Sequence, residues 1–211
     1  MSKAIYLARI PDGEFSLCES LLSEYRKRRV VTPNRAVRKR SLCAEALLIA
    51  AVREFKPSLT APFDIVENGY GKPYLKDNGI CFSLSHSQNM VLCALCDHEI
   101  GADIQITTGA NDALIQRFFA PSEIEVIERA VNRDEVFTEI WAKKESYIKA
   151  VGKGLVMPLQ GFSVNEEPLS SLIVHGREGA YHYAFCDLSG DHAEPACRWI
   201  DLESFADQTA E

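Results

Sequence analysis

Two spacings of hydrophobic residues run along the chain and predict strands and helices. Apolar positions three or four apart indicate helices, and short apolar or alternating runs indicate strands. In the first half, the pattern predicts extended segments at residues 4–10, 72–75, 81–85, 90–96 and 99–105 and helices at 14–28 and 32–55. In the second half, it predicts helices at 112–119, 122–130 and 134–151 and strands at 172–175, 181–188 and 197–202. In each half, strands and helices are grouped together instead of alternating as β-α-β units, so the predicted fold class is α+β.

The order of these elements predicts two parts, each with helices and a small sheet. The short link at Asp97 and His98 favours antiparallel pairing of the strands on either side of it. We expect an N-terminal lobe at residues 1–104 and a C-terminal lobe at residues 105–211. No low-complexity segment or Pro/Ser-rich linker separates them, so we expect the lobes to pack tightly.

Composition narrows the protein class. The chain has 211 residues, of which 46% are hydrophobic and 25% charged, as in soluble globular proteins. The longest apolar run, residues 46–52, is far below the roughly 20 residues of a membrane helix. The N-terminus enters a strand pattern without a secretory signal, and the seven cysteines are scattered, with Cys93 and Cys96 inside an apolar run. We therefore expect a cytoplasmic protein with buried structural thiols and no membrane association.

Charge is distributed unevenly along the chain. The net charge of −7 argues against general nucleic-acid binding. Residues 26–40, however, contain eight basic residues and no acidic one. Such a basic stripe suits a small polyanion or an acidic partner surface, although a solvated helix face is an equally good interpretation.

Asp103 and Glu145 are the most informative pair of residues. Asp103 lies near the end of a predicted strand, and Glu145 lies on a predicted helix that also carries Lys143, Lys144 and Lys149. Oxygen ligands suit Mg²⁺, which usually takes one or two protein carboxylates plus substrate phosphate. Lysines beside these carboxylates favour an anionic ligand. The alternatives are a strand-end aspartate in a turn and a surface ion pair between residues four apart on a helix.

Phe82 to Ser87 alternates between apolar and polar residues until it reaches His86. Ser85 and His86 would place a hydroxyl and an imidazole at a strand end, where a nearby phosphate would favour the protonated ring. A satisfied turn histidine is an equally good interpretation. A serine hydrolase is less favoured because the chain has no Gly-x-Ser-x-Gly elbow, and the glycine-rich residues 69–73 lack the spacing of a phosphate loop.

Together these motifs resemble the 4′-phosphopantetheinyl transferase family, in its larger, two-lobed, surfactin-synthetase-activating form. The resemblance covers roughly residues 70 to 160 and lies in Gly71-Lys72-Pro73, Phe82-Ser83-Leu84-Ser85-His86-Ser87, Ile100-Gly101-Ala102-Asp103-Ile104-Gln105, Arg117-Phe118-Phe119 followed by Glu123, and Trp141-Ala142-Lys143-Lys144-Glu145-Ser146-Tyr147-Ile148-Lys149-Ala150 followed by Gly152-Lys153-Gly154-Leu155. These motifs stand in the family's order and approximate spacing.

The resemblance implies a fold and a reaction. The family fold has two similar lobes related by pseudo-twofold symmetry, each a small, mainly antiparallel sheet packed with helices, with coenzyme A between them. The reaction transfers the phosphopantetheine arm of coenzyme A to a serine of an apo carrier protein and releases adenosine 3′,5′-bisphosphate. It also implies a role in fatty-acid, polyketide or nonribosomal-peptide biosynthesis, without indicating which.

By motif match, the resemblance also implies roles for individual residues. Mg²⁺ ligation falls to Asp103 and Glu145, and Gln105 stands where the family commonly has glutamate, so its ligation is in question. Lys149 is expected to contact the pyrophosphate, and the proton acceptor is Glu145 or a metal-bound water. The expected contacts to coenzyme A are Arg40, Lys72, Pro73, Ser85, His86 and Lys149. One or two of Arg26 to Arg29 are also expected to contact phosphate, without a motif to say which.

The expected partner is an acidic acyl or peptidyl carrier protein, approached by a monomer. Residues 107–132, with Ile115, Phe118 and Phe119, form a weak candidate docking surface, and core packing of these phenylalanines is the favoured alternative. Two other functions fit the same carboxylates: a different Mg²⁺-dependent phosphoryl enzyme, such as a nucleotide hydrolase, and a non-catalytic coenzyme A or carrier-binding module.

Overall fold

A computed structural model describes residues 2–209 and has the expected α+β class. Its strands are β1 Lys3–Arg9, β2 Ile65–Glu67, β3 Pro73–Leu75, β4 Cys81–Ser87, β5 Met90–Cys96, β6 Ile100–Ile106, β7 Ile173–Glu178, β8 Tyr181–Asp187 and β9 Ala196–Trp199. Its α-helices are α1 Glu24–Val30, α2 Arg35–Phe55, α3 Asp112–Phe118, α4 Pro121–Arg129, α5 Arg133–Val151 and α6 Leu202–Gln208.

The first sheet has the strand order β4-β5-β1-β9. All its pairs are antiparallel except β1 with β9, which is parallel. One face of β1 and β5, including Tyr6 and Leu95, packs in a core with α2. The opposite face, including Ile5 and Leu92, packs in a second core with Ile104 of β6. Both faces of β1 and β5 are therefore buried, which explains why these strands are almost entirely apolar.

The second sheet has the order β6-β8-β7, with antiparallel pairs throughout. The long helix α5 lies across it, with its closest packing on β6. A third core, on the side of α3 and α4, contains Phe119 and Phe137 with the half-buried Trp141. Ile115 and Phe119 are buried and Phe118 packs against this core, so the interpretation of the phenylalanines as core residues is confirmed.

The predicted pairing across Asp97 and His98 is wrong. Strand β5 pairs with β4 and β1, whereas β6 leaves that sheet and pairs with β8. Where the chain passes from β5 to β6, His98 Nε2 lies 2.6 Å from Asp187 Oδ1. Lys3 Nζ lies 2.8 Å from Asp187 Oδ2. These buried polar contacts join the start of β1 to the end of β8, so the link turns between two sheets instead of closing a hairpin.

Two other predicted elements differ from the structure. The helix expected at residues 14–28 is replaced by a loop, a short 3₁₀ turn and then α1, which begins after Ser23. The Ser23 hydroxyl accepts a hydrogen bond from the amide of Arg26, and the buried Glu45 accepts one from the Ser23 amide. The strand expected at 197–202 ends at Trp199, because Asp201 caps α6, a helix that the pattern did not indicate.

Strands β2 and β3 pair as a separate two-stranded sheet, and the two larger sheets draw strands from different parts of the chain. Strand β6, at residues 100–106, pairs along its whole length with β8, whereas β9, close to the C-terminus, pairs with β1. The division into lobes at residues 1–104 and 105–211 stays a prediction. Within residues 2–209, no helix has the length and apolar character needed to cross a bilayer.

Candidate active site between two carboxylates and a lysine

The site is set by close packing of α5 on β6 at Gly101. A Cβ atom on Gly101 would lie 2.1 Å from the carbonyl oxygen of Ser146 and 2.2 Å from the amide nitrogen of Ala150. Only a residue without a side chain lets the helix backbone approach this strand so closely. Alternate residues of a strand share a face, so Asp103 and Gln105 also point towards α5.

Asp103 is buried and its carboxylate is surrounded by donors. Its Oδ1 accepts hydrogen bonds from the Ser85 hydroxyl at 2.5 Å and from the Lys149 ammonium at 2.6 Å. Its Oδ2 accepts one from the Gln105 side-chain amide at 2.8 Å. Donors on both oxygens hold this carboxylate in a fixed orientation.

Glu145 lies on α5 within electrostatic reach of Asp103. Burial raises the pKa of Glu145, the negative charge of Asp103 raises this pKa further, and Lys149 partly opposes both effects. Two carboxylates that repel each other in a partly buried site are stabilised by a cation between them. The donor set of Asp103 and Glu145 therefore fits a hard divalent cation such as Mg²⁺. Gln105 donates to Asp103 in this structure, and its role as a metal ligand stays a prediction.

A pocket of about 260 Å³ opens beside these residues. Its lining includes Gly71, Lys72, Pro73, Leu84, Glu145 and Lys149. The loop expected to contact coenzyme A and the helix that carries Glu145 thus line the same pocket, although they are more than seventy positions apart in the chain.

Hydrogen bonds hold the loop before β3 against the C-terminal end of α5. Asn68 donates a hydrogen bond to the carbonyl of Gly152, which ends the helix in a left-handed conformation with φ +70°. The Lys72 ammonium donates to the carbonyls of Ile100 and Ala150 and pairs with Glu99. Lys72 therefore neutralises a helix C-terminus and positions the pocket wall. Its contact with coenzyme A, and that of Pro73, stay predictions.

Arg40 and Lys149 lie close enough to His86 for their positive charges to act on its ring. Neighbouring atoms partly desolvate the exposed His86 ring, and this desolvation, followed by the charges of Arg40 and Lys149, lowers the pKa of His86. Among the described residues, Arg40 has no carboxylate within salt-bridge distance, although it is partly buried. An uncompensated guanidinium beside an imidazole suits an incoming anion.

Three of the eight basic residues in the stripe at residues 26–40 make contacts that support the fold. Arg26 pairs with the buried Glu45 at 3.1 Å, and Arg29 pairs with Glu67 at 2.6 Å while it stacks on Tyr25. Lys39 donates to the carbonyl oxygens of residues 11 and 12. Within residues 2–209, Arg28 is exposed and makes no ion pair, and a phosphate contact by one or two of Arg26 to Arg29 stays a prediction.

The three α5 lysines that favoured an anionic ligand have different surroundings, and two of them pair with carboxylates away from Asp103. Lys144 is fully buried, pairs with the equally buried Glu123 at 2.7 Å, and donates to the carbonyls of Leu159 and Phe162. Burial lowers the pKa of Lys144, and Glu123 opposes this effect. Lys143 pairs with Glu139 on its own helix. Of the three, only Lys149 reaches Asp103.

Sequence reasoning missed two serines, Ser83 and Ser87, that join the two sheets. The Ser83 hydroxyl accepts a hydrogen bond from the amide of Ala102, and Ser87 accepts one from the amide of Ile106. With Ser85 on Asp103, these residues connect alternate positions of β4 to β6. Their period-two spacing was a visible signal, but only the fold shows that β6 faces it. Cys93 and Cys96 are buried, as predicted, and no cysteine in residues 2–209 forms a disulfide.

Comparison with known proteins agrees with this site. Residues 99–197 match the family described as the 4′-phosphopantetheinyl transferase superfamily. That stretch contains β6, the whole of α5 and therefore Asp103, Glu145 and Lys149.

Relatives with this description come from distant organisms. The chain is 35% identical over 109 residues to the 4′-phosphopantetheinyl transferase gsp of Aneurinibacillus migulanus, with 51% of this chain and 46% of that protein covered. It is 40% identical over 99 residues to the 4′-phosphopantetheinyl transferase Sfp of Bacillus subtilis, with 45% and 44% covered. It is 31% identical over 132 residues to the L-aminoadipate-semialdehyde dehydrogenase-phosphopantetheinyl transferase of Xenopus laevis, with 53% and 44% covered.

The chain thus spans about half the length of these curated relatives. The match begins at the strand that carries Asp103 and continues past the helix that carries Glu145. The resemblance stated from the motifs is confirmed by the match of residues 99–197 to this superfamily and by the similarity to these relatives.

Proposed function

We propose that this protein transfers the 4′-phosphopantetheine group of coenzyme A to a serine of an apo acyl or peptidyl carrier protein, with Mg²⁺, and releases adenosine 3′,5′-bisphosphate. The observation that carries the proposal is the cluster of Asp103, Glu145 and Lys149 beside the pocket lined by residues 71–73. This cluster offers two carboxylates for a hard cation and one ammonium for a phosphate, which is what displacement at a pyrophosphate requires.

In this proposal, each residue acts on a particular atom or charge. When bound by Asp103 and Glu145, Mg²⁺ would polarise the pyrophosphate and stabilise the leaving group. The Lys149 ammonium would contact the same phosphate and exchange its hydrogen bond with Asp103 for one with substrate. The Glu145 carboxylate, whose pKa is raised, would accept the proton of the attacking serine hydroxyl. Ser85 and Gln105 keep Asp103 oriented.

The remaining contacts fix the register of coenzyme A. Arg40 and His86 are proposed to hold the ribose-linked phosphate, because they are adjacent cationic or protonatable groups without a described carboxylate partner of their own. Lys72 and Pro73 form the wall along which the pantetheine arm would lie. The proposal places the protein in the cytoplasm as a monomer of two similar lobes, acting on an acidic carrier without nucleic acid or membrane.

The test is direct. The purified chain is incubated with coenzyme A, Mg²⁺ and a panel of apo carrier proteins, and intact-protein mass spectrometry measures a phosphopantetheine adduct on the carrier. The expected result is a Mg²⁺-dependent adduct that disappears when the modified serine of the carrier is replaced by alanine. Phosphate release without an adduct would indicate a hydrolase, and tight binding of coenzyme A without turnover would indicate a binding module. Either result would overturn the proposal.

A further inference from the structure

A second polar cluster lies under α5, outside the proposed transfer site. It consists of Glu139 on α5, His175 on β7 and His182 on β8. One ligand atom from each of the three side chains lies within 4.8 Å of the other two. The proposed transfer reaction uses none of these residues.

The fold points all three side chains to one place. His182 is directly opposite Gln105 in the β6–β8 ladder, so it shares the sheet face that carries Asp103 and Gln105 and looks towards α5. His175 lies on the neighbouring strand β7, opposite Ala184, and shares this face. Glu139 approaches from the helix, six residues or about 9 Å along the axis from Glu145.

The nitrogen atoms of the two imidazoles already meet. His175 Nε2 lies 3.1 Å from His182 Nδ1, and Glu139 Oε1 lies 3.8 Å from His175 Nδ1. His182 is only 3% exposed, and its Nε2 is one of two buried side-chain nitrogen or oxygen atoms without a hydrogen-bond partner in the described part of the chain. Buried polar atoms are normally satisfied, so this unpartnered nitrogen points to a missing ligand.

We propose that Glu139, His175 and His182 form a second divalent-metal site, selective for a borderline cation such as Zn²⁺ over Mg²⁺. Two imidazoles and one carboxylate are a typical zinc donor set, whereas Mg²⁺ prefers oxygen ligands alone. Solvent would supply the fourth ligand, since the side chains of Glu139 and His175 are 32% and 22% exposed. His175 Nε2 and His182 Nδ1 face each other along one hydrogen bond. Binding of a metal therefore requires the more exposed His175 ring to turn.

The surroundings both help and oppose this site. Burial lowers the pKa of both His175 and His182, although the negative charge of Glu139 opposes this effect, and the net lowering favours the neutral rings that can ligate a metal. Two cations oppose a metal: Lys143, which pairs with Glu139, and Arg177, which is held by Glu135 at 2.6 Å and by the Gly179 carbonyl at 2.7 Å. Lys143 is therefore the residue whose removal should improve binding.

The full chain is first stripped of metal with a chelator and kept under a reducing agent. It is then titrated with Zn²⁺ in excess Mg²⁺, and chelator competition measures the zinc affinity. His175→Gln and Glu139→Gln should each weaken zinc binding at least about tenfold, and Lys143→Gln should strengthen it several-fold. Because a misfolded variant would not gain affinity, Lys143→Gln separates ligation from damage to the fold. His98→Gln is the matched control, since His98 belongs to a different cluster with Cys96 and Asp97.

Side-chain NMR of the histidines gives a local readout. Zinc should shift the ring resonances of His175 and His182 and leave those of the surface residue His192 in place. Zinc should also raise the melting temperature of the wild type but not of His175→Gln, because it would join α5 to β7 and β8. Titrations of His175→Gln and Glu139→Gln that superimpose on the wild type, or zinc binding lost in His98→Gln alone, would overturn the proposal.

Discussion

Helix α5 carries two lysine–carboxylate pairs that have the same chemistry and opposite surroundings. Lys144 pairs with Glu123 and both side chains are completely buried. Lys149 pairs with Asp103, and its side chain is 30% exposed, at the edge of a pocket. The donors of Lys144 are taken up by Glu123 and two backbone carbonyls, so no substrate can reach it. Solvent access, not residue type, decides which lysine serves the fold and which serves the chemistry.

The two regions also differ in what the neighbouring side chains provide. Around Lys144, aromatic rings of Phe119 and Phe162 close the site, with Phe162 4.2 Å from the ammonium. Around Lys149, the groups are polar and ionisable, and the repulsion between Asp103 and Glu145 is left for a cation to relieve. Binding of a cation relieves the repulsion between two carboxylates, whereas a fully satisfied ion pair gains nothing from a ligand.

The largest effect is expected at Glu145. Glu145→Gln should lower turnover by roughly 10²–10⁴-fold, because the variant loses both the proton acceptor and a negative metal ligand. The pKa of Glu145 is higher in the folded protein than in the unfolded chain. Its contribution to stability is therefore present below the pKa of the unfolded chain and is lost as pH rises through the pKa of the folded protein. At neutral pH the amide therefore relieves a buried charge, and the melting temperature should stay constant or rise. Near-normal turnover in a single-turnover assay would exclude both roles.

Replacement of the buried lysine should damage stability instead. Lys144→Met should lower the free energy of unfolding by about 3–5 kcal/mol, because Glu123 is left charged in the core. Lys149→Met is the matched comparison on the same helix: it should change stability by about 1 kcal/mol or less and reduce turnover about 10²-fold. Urea unfolding and the adduct assay measure both quantities. Equal stability losses in the two variants would remove the distinction between the regions.

Gly101 tests whether the site depends on close helix packing. Gly101→Ala places a methyl group about where the helix backbone lies, and overpacking of this kind costs about 1–3 kcal/mol. Since α5 must move away from β6, we expect turnover to fall more than stability alone predicts at a temperature where the variant is folded. Gly109→Ala, where a Cβ meets nothing within 4 Å, is the control. Unchanged stability and turnover in Gly101→Ala would contradict the packing found here.

Gln105→Glu tests whether residue 105 is a Mg²⁺ ligand in the region around Lys149. A third carboxylate beside Asp103 and Glu145 should reduce the Mg²⁺ concentration for half-maximal activity several-fold, because oxygen anions bind Mg²⁺ better than an amide does. The measurement is adduct formation against Mg²⁺ concentration. An unchanged Mg²⁺ requirement would mean that residue 105 supports Asp103 and is not a ligand.

The smallest effect is expected at His86. Its pKa lies below the ordinary histidine value because of desolvation, Arg40 and Lys149, and a bound phosphate should raise it. The complex then takes up a proton, so coenzyme A affinity should be highest at acid pH and fall a few-fold as pH rises through the pKa of the complex. His86→Asn should flatten this part of the profile measured by calorimetry. A wild-type profile identical to that of His86→Asn would remove His86 from the phosphate site.

Much of the fold could be predicted because its periodicities are strong and local. The helix over residues 133–151 and the strands over 81–87 and 90–96 agree closely with the apolar spacing. The loop before Ser23 could not be predicted, because its helix-like pattern is overridden by Glu45, which binds the Ser23 amide from another helix. The pairing of β6 failed for a similar reason, since Asp187 holds the link at His98 from a distant strand.

The sequence by itself determined the α+β class, the identity of the residues with metal- and phosphate-binding chemistry, and the motifs of the transferase superfamily. These properties depend on residue type and short spacing, which a linear chain displays directly. Only the tertiary structure decided that Lys144 is sealed in the core, that Lys149 reaches Asp103, and that His175 and His182 meet beneath Glu139. Burial and charge pairing depend on contacts between distant segments, and the packing of α5 against α4 and the β6-β8-β7 sheet creates them.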